Sequence, residues 1–282
     1  MITHSNLQTM KKQVVFITGA SSGMGKVTAI QLAKEGHVVY GAARRIEKMQ
    51  DLVAAGGHAI AMDITNADQV KAAVDQVVAE QGRIDVLVNN AGFGLYGAVE
   101  DISIDEARYQ FEVNIFGLAR VTQLVLPHMR EQNEGKIINI SSMGGKMYTP
   151  LGAWYHGTKH ALEGWSDSLR LELKQFGIDV IIIEPGVIET EFGSVMADPM
   201  MERSGSGPYA SLTRAVYRAY TDNYKPGAGS PASVISNTIS RAVNSRRPKT
   251  RYVVGKMAKP MIWMRKYVGD RIFDAALMMR VK

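Results

Sequence analysis

Residues 14–34 constrain the fold more than any other stretch of this 282-residue chain. Val14 to Thr18 is an apolar run of strand length, and Gly19, Gly23 and Gly25 cluster directly behind it. From Lys26 to Lys34, apolar residues fall at Val27, Ile30, Leu32 and Ala33, which is helical spacing. A buried strand feeding a glycine-rich turn into a helix makes an anion site. The free N–H groups and the dipole of the helix N-terminus point at whatever sits there. Gly23 and Gly25 put no side chain between that backbone and a pyrophosphate, and Gly19 can take backbone angles closed to other residues. A literal G-x-G-x-x-G lies elsewhere, at Gly92 to Gly97. It runs into Ala98-Val99-Glu100-Asp101 without opening a helix and reads as a loop.

Further strands follow at residues 37–43, 58–62, 84–88, 136–142 and 178–184, with helical patterns between them, and a last strand at 250–254. Strands alternating with helices imply a parallel, doubly wound α/β sheet whose ligand chemistry sits at the carboxyl ends of the strands. The second strand ends at Ala43, where a dinucleotide fold places an acid to accept from a ribose 2′-hydroxyl, and Arg44-Arg45 follows instead. A guanidinium binds a 2′-phosphate in fork geometry, so NADP(H) is expected over NAD(H), with one of the two arginines a solvated neighbour. Asp63, before Ile64, reads equally as an adenine contact or as part of a helix start, since Thr65-x-x-Asp68 resembles a capping box. Ser103-x-x-Glu106 is a second such box, opening a long helix through Asn114 toward Pro127. A helix from about Gly152 to Phe176 carries Tyr155 and Lys159, and the sixth strand stops at Pro185-Gly186. Residues 189–230 are rich in Gly, Pro, Ser and Met and read as a long irregular insertion, a lid with an adaptable apolar cover.

Tyr155 and Lys159 are four apart and share a helix face. A phenol is a poor base at neutral pH, and a neighbouring cation favours the phenolate. Ser142, at the end of the neighbouring strand, is placed to hydrogen-bond an oxygen that changes charge when a carbonyl becomes an alcohol. Tyr252-x-x-x-Lys256 has the same spacing without such neighbours and reads as chance.

Thr18-Gly19-x-x-x-Gly23-x-Gly25, Asn89-Asn90-Ala91-Gly92, Asn114, Ser142, Tyr155-x-x-x-Lys159 and Pro185-Gly186, in that order, resemble the classical short-chain dehydrogenase/reductase family over roughly residues 13–195. The resemblance implies a three-layer Rossmann fold with a seven-stranded sheet, and hydride transfer between a nicotinamide and a carbonyl or secondary alcohol. It implies that Tyr155 is the acid in reduction and the base in oxidation. Lys159 would bind the nicotinamide ribose and lower the Tyr155 pKa, Ser142 rather than Ser141 would orient the substrate oxygen, and Asn114 would hold a relay water. The cofactor would lie along Gly19, Ser21, Ser22, Gly23, Met24, Gly25, Arg44, Asp63 and Ile64. It would continue past Asn90, Ala91 and Gly92 to the segment of Pro185, Gly186, Val187 and Thr190. Helices 103–132 and 152–176 would pair in a homodimer or homotetramer. No metal is expected, the i, i+4 pair His156 and His160 reading as ordinary helix surface or interface.

The whole chain reads as one domain: a core at 13–188, the lid at 189–230 and a C-terminal extension at 256–282. Zero cysteines suit a reducing cytoplasm, residues 1–12 lack an apolar leader segment, and no apolar run spans a membrane. Residues 241–282 hold twelve Lys/Arg against two acids, whereas the rest of the chain is net acidic, which argues against a nucleic-acid-binding body. In that tail, Asp270 is expected to cap a last helix carrying Ile272, Phe273, Ala276 and Leu277 on one face. Such a helix would fold over an apolar substrate pocket, as in members resembling 17β-hydroxysteroid and retinol dehydrogenases, or rest on an anionic membrane with Trp263 at the headgroups. Two function classes follow. One is an NADP(H)-dependent reductase of a lipophilic ketone or aldehyde; the alternative is a non-catalytic NADP(H)-binding regulator of the same fold. The presence of Asn114, Ser142, Tyr155 and Lys159 together favours the enzyme.

Overall fold

The computed structural model describes residues 11–225 and 227–281; residues 1–10, Pro226 and Lys282 lie outside the described residues. Strands β1 (Val14–Thr18), β2 (Val38–Ala43), β3 (His58–Ala61), β4 (Val86–Asn89), β5 (Gly135–Ile140) and β6 (Ile178–Pro185) are joined by β9 (Arg251–Val254) in one sheet. Its order is β3-β2-β1-β4-β5-β6-β9, with every pair parallel. The two halves wind in opposite directions from β1 and β4, so a crevice opens beyond the carboxyl ends of those strands.

Alternation along each strand explains the continuous apolar runs, since both faces are covered. Phe16, Tyr40, Leu87, Ile137 and Val180 face helices α3 (Ala67–Gln81), α5 (Leu118–Gln132) and α6 (Ala153–Leu173). Their neighbours in sequence, Val15, Ile17, Val39, Val86, Ile138 and Ile181, face α1 (Gly23–Lys34) and α9 (Ser233–Asn244). Short helix α2 (Gln50–Ala54) precedes β3. Within the half that starts at β4 runs a buried polar chain. Asn89 donates to Thr122 and Asn139, and Asn139 donates to Ser166, at 2.9–3.0 Å. Asn139→Ala would strand the groups on either side and is expected to cost about 1–3 kcal/mol, read as a lower urea midpoint at unchanged m-value.

Several helix boundaries differ from those expected. Asn66, not Thr65, caps α3, its side chain accepting from the Gln69 N–H at 3.0 Å. Asp63 instead accepts from the Thr65 N–H and hydroxyl, closing the turn after β3. The Ser103/Glu106 capping box is present and opens α4 (Ile104–Phe111). The long helix then passes through a π-helical stretch, Glu112–Gly117, before α5, and Pro127 lies inside α5 instead of ending it. A π segment adds a residue per turn and re-aims one side chain, here Asn114.

The excursion read as irregular is a pair of helices, α7 (Phe192–Ser204) and α8 (Ala210–Asn223), packed on each other. Two-residue strands β7 (Ile188–Glu189) and β8 (Ser230–Pro231) pair at its base and tie its ends together. Its composition of Gly, Pro and Ser masked an i, i+4, i+8 line of Phe192, Met196 and Met200 on the inner side of α7. Beyond β9, α10 (Ala258–Tyr267) and α11 (Asp270–Met279) form the extension. Asp270 does not cap α11; Gly269 holds that position, and the Asp270 carboxylate pairs with Arg265. Phe273 and Leu277 are buried, but Ile272 is turned outward, one residue off their line.

Candidate active site

The crevice is built where β1 and β4 end. The Thr18 hydroxyl accepts from the N–H groups of Asn90 and Ala91, both at 3.1 Å, and the Asn90 amide donates to the carbonyls of Thr18 and Gly19. Gly19 has φ +70°, and a Cβ there would meet Ala91 Cα at 2.8 Å. A Cβ on Gly25 would overlap the Asn90 amide and the Gly19 carbonyl oxygen. Gly25 is thus required by packing between turn and strand, a different reason from keeping side chains off a pyrophosphate. Gly25→Ala is expected to distort this junction and abolish dinucleotide binding, measured by titration, while far-UV circular dichroism stays native.

A cavity of about 600 Å³ opens beside this junction. The turn contributes Gly19, Ser21, Ser22, Gly23 and Met24 to its wall. Arg44 and Arg45 stand at the end of β2, Asp63 and Ile64 after β3, and Asn90, Ala91 and Gly92 after β4. Thr190 and Phe192 close the far side. The N-terminus of α1 opens here with no side chain capping it. Arg45 reaches the Ser22 hydroxyl at 3.4 Å and Arg44 the Tyr109 hydroxyl at 3.3 Å, so both cations flank the same wall. Sequence reasoning gave the site only one of them.

The segment after β6 departs from expectation. Gly186 donates to the Val254 carbonyl, and the N–H and C=O of Val187 are bonded to Lys256 and Ser230. Of Pro185, Gly186, Val187 and Thr190, only Thr190 lines the cavity.

None of the four residues expected to carry chemistry lines this cavity; they lie directly behind its wall residues Gly92 and Phe192. Gly92 links them to the cavity: a Cβ there would sit 3.1 Å from Asn114 Oδ1 and 3.9 Å from Lys159 Nζ. Asn114 is fully engaged, accepting from the Phe93 N–H and donating to the Phe93 carbonyl and the Thr158 hydroxyl, so it clamps the loop after β4. Lys159 Nζ donates to the Ile140 carbonyl at 2.8 Å and lies 6.0 Å from the Tyr155 ring centroid. Burial pushes the Tyr155 phenol up to about 12, partly offset by its hydrogen bond with Ser142, and the neighbouring Tyr220 adds to the rise. The expected lowering by Lys159 is absent, because that ammonium is held at Ile140 and is itself depressed by burial to about 8.

The lid roofs this group. Tyr96, Tyr155, Met196, Met200 and Val216 form one buried cluster, against which Phe192, Tyr220 and Val281 pack. The Tyr155 ring lies 5.6 Å from that of Tyr96 and 5.8 Å from that of Phe192. Behind it, His156 donates from Nδ1 to the Gly144 carbonyl and accepts at Nε2 from the Thr149 N–H, which fixes the loop that Ser142 begins. Burial lowers His156 to about 4, keeping it neutral, and the Thr149 hydroxyl is 3.0 Å from that of Tyr220 on α8. Tyr96 and Tyr220 carry no motif spacing and were not found in the sequence.

An uncapped helix N-terminus, a cavity at the strand reversal and a Ser–Tyr–Lys group adjoining its wall fit a dinucleotide-dependent oxidoreductase. The short chain dehydrogenase family profile matches residues 13–199, and the chain belongs to that family. It is 45% identical over 187 residues to a 3-ketodihydrosphingosine reductase of Bacteroides thetaiotaomicron, the match spanning 65% of this chain and 66% of that protein. A short-chain dehydrogenase from Streptomyces avermitilis superimposes with a TM-score of 0.76 at 31% identity, over 95% of this chain and 96% of its own. A family member from Burkholderia phymatum, solved with NAD, gives a TM-score of 0.73 at 26% identity over 86% and 89% of the two chains. Family membership carries oxidoreduction with a nicotinamide cofactor.

Proposed function

We propose that this protein is an NADP(H)-dependent oxidoreductase that reduces a lipophilic ketone or aldehyde, with Tyr155 as general acid. The observation that carries the reading is the placement of the buried Tyr155 phenol between Ser142 and an apolar roof, against Phe192 in the wall of a cavity that also holds two arginines. The residues present fit the dinucleotide. The uncapped N-terminus of α1 suits a pyrophosphate, and Arg44 and Arg45 suit a 2′-phosphate. A bound NADPH would supply the hydride. Tyr155 gives its proton to the carbonyl oxygen, Ser142 orients that oxygen, and Lys159 holds the nicotinamide ribose. Asn114 keeps the loop after β4 in place.

Core (13–188), lid (189–230) and extension (256–282) act as one domain. Phe192, Met196, Met200 and Val281 give the roof an apolar lining, a pattern in keeping with 17β-hydroxysteroid- and retinol-dehydrogenase-like members. The named activity of the Bacteroides relative, reduction of a keto lipid, supports the same direction. Ile104, Tyr109, Phe116 and Leu171 are exposed apolar residues on the helical segments expected to pair, which supports a homodimer.

The test is NADPH oxidation across ketones and aldehydes graded in size, 3-ketodihydrosphingosine included. kcat/KM is expected to rise with apolar chain length; turnover confined to small polar carbonyls would overturn the substrate class.

A pH profile checks the acid. With the phenol held near 12, its protonated form, the donor in reduction, persists through the neutral range. Reductive kcat is therefore expected to stay level up to about pH 7 and to fall above it as Lys159, whose pKa burial lowers to about 8, loses its proton. The reverse oxidation needs the phenolate and is expected to climb roughly tenfold per pH unit over the same range. A level oxidative rate there would contradict the assignment.

A further inference from the structure

We infer that the outer face of α10 and α11 docks on an anionic lipid bilayer. The inner faces of both helices are already committed. Met261, Phe273 and Leu277 are buried with Met147, and Met143 and Tyr148 pack around them. The Tyr148 hydroxyl donates to Asp274 at 2.8 Å, and the Arg265 guanidinium lies 5.1 Å over the Tyr148 ring while pairing with Asp270. Because both helices turn the same way onto this one cluster, their opposite faces look outward together.

What they present is unusual for a surface left in water. Trp263 is 60% exposed, Tyr267 64%, Ile272 60% and Met279 69%, with Met278 beside them. Lys259, Lys266, Arg271 and Arg280 are exposed between them, and none pairs with a carboxylate among the described residues. Both acids of these helices are occupied, Asp270 by Arg265 and Asp274 by Tyr148. The face is therefore apolar and cationic at once.

That combination selects the occupant. A second copy docked through the same face would bring cations against cations. A nucleic acid would satisfy the cations and leave Ile272, Met278 and Met279 without a partner. A bilayer interface takes all three kinds of group: aromatic rings at the headgroup level, Ile and Met below them, and Lys and Arg at lipid phosphates. At ten residues each, α10 and α11 lie on such a surface and cannot cross it. The contact also has a route to the chemistry. α11 packs on the loop that follows Ser142, and Val281 packs against the cluster that holds Tyr155. A docked molecule would thus have its substrate roof beside the lipid.

The docking stands on the surface residues and is independent of the substrate class. The experiment is co-sedimentation of the full chain with phosphatidylcholine vesicles, with and without phosphatidylglycerol. Binding is expected with phosphatidylglycerol, and about tenfold weaker or lost without it or at high salt. The Trp263→Ser/Ile272→Ser and Lys266→Glu/Arg271→Glu variants are each expected to lose binding at least about tenfold. Their thermal midpoint and their NADPH affinity should be unchanged, which separates lost docking from lost folding or lost cofactor. No sedimentation with either vesicle, equal binding to both, or full binding by the variants would overturn the inference. So would loss of a dimer in the variants with no vesicle binding by the parent, which would assign the face to a second copy.

Discussion

Tyr155→Phe is expected to lower kcat for carbonyl reduction by a hundredfold to ten-thousandfold, the range a positioned general acid supplies, while NADPH affinity stays within about threefold. The substitution removes one oxygen and keeps the ring, whose packing against Tyr96 and Phe192 holds the roof together. Both the lost proton and the unchanged fold are therefore read from one variant. Steady-state kinetics with the best carbonyl, beside a cofactor titration, makes the measurement. Retained turnover would remove Tyr155 from the chemistry, and a parallel loss of NADPH affinity would recast it as a structural residue.

The second large effect is expected at the cavity mouth. Arg44→Ala/Arg45→Ala should weaken NADPH by about thirtyfold or more, since hydrogen bonds to charged groups are each worth about 1.5–3 kcal/mol and these lie at the exposed end of that range. NADH lacks the phosphate and should change by less than about threefold. The structure argues for the double variant, because Arg45 is directed to Ser22 on the glycine-rich turn and Arg44 to Tyr109 on α4. Either arginine can cover for the other. Equal losses for the two cofactors would show that the cations serve the wall and not a 2′-phosphate.

The centre of the sheet was legible because β1, β4, β5 and β6 are buried on both faces, so that each reads as a mostly apolar run ended by Gly, Asn, Ser or Pro. The strand ends then carried the candidate residues to one edge without further information. The lid was not legible. Met196 and Met200 keep helical spacing, but Pro199 and the flanking glycines gave that segment the composition of a loop. Asn114 was found as a polar residue in a helix, whereas the π stretch that aims it leaves no mark in residue spacing. Ile272 was placed one position off its true face because α11 is only ten residues long, too short for periodicity to fix its rotation. The bond from Lys159 to the Ile140 carbonyl depends on how α6 lies over β5, which no local pattern encodes.

The central claim is that the cavity and the buried phenol together perform hydride transfer to an apolar carbonyl. The most direct measurement incubates the protein with NADPH carrying deuterium at both nicotinamide C4 positions and the best carbonyl of the graded panel, and follows the label into product by mass spectrometry. Deuterium is expected on the carbinol carbon of the product, accumulating at least about a hundredfold more slowly with Tyr155→Phe. Tight NADPH binding with the label retained on the cofactor, across every carbonyl tried, would contradict it and make this chain a dinucleotide-binding regulator.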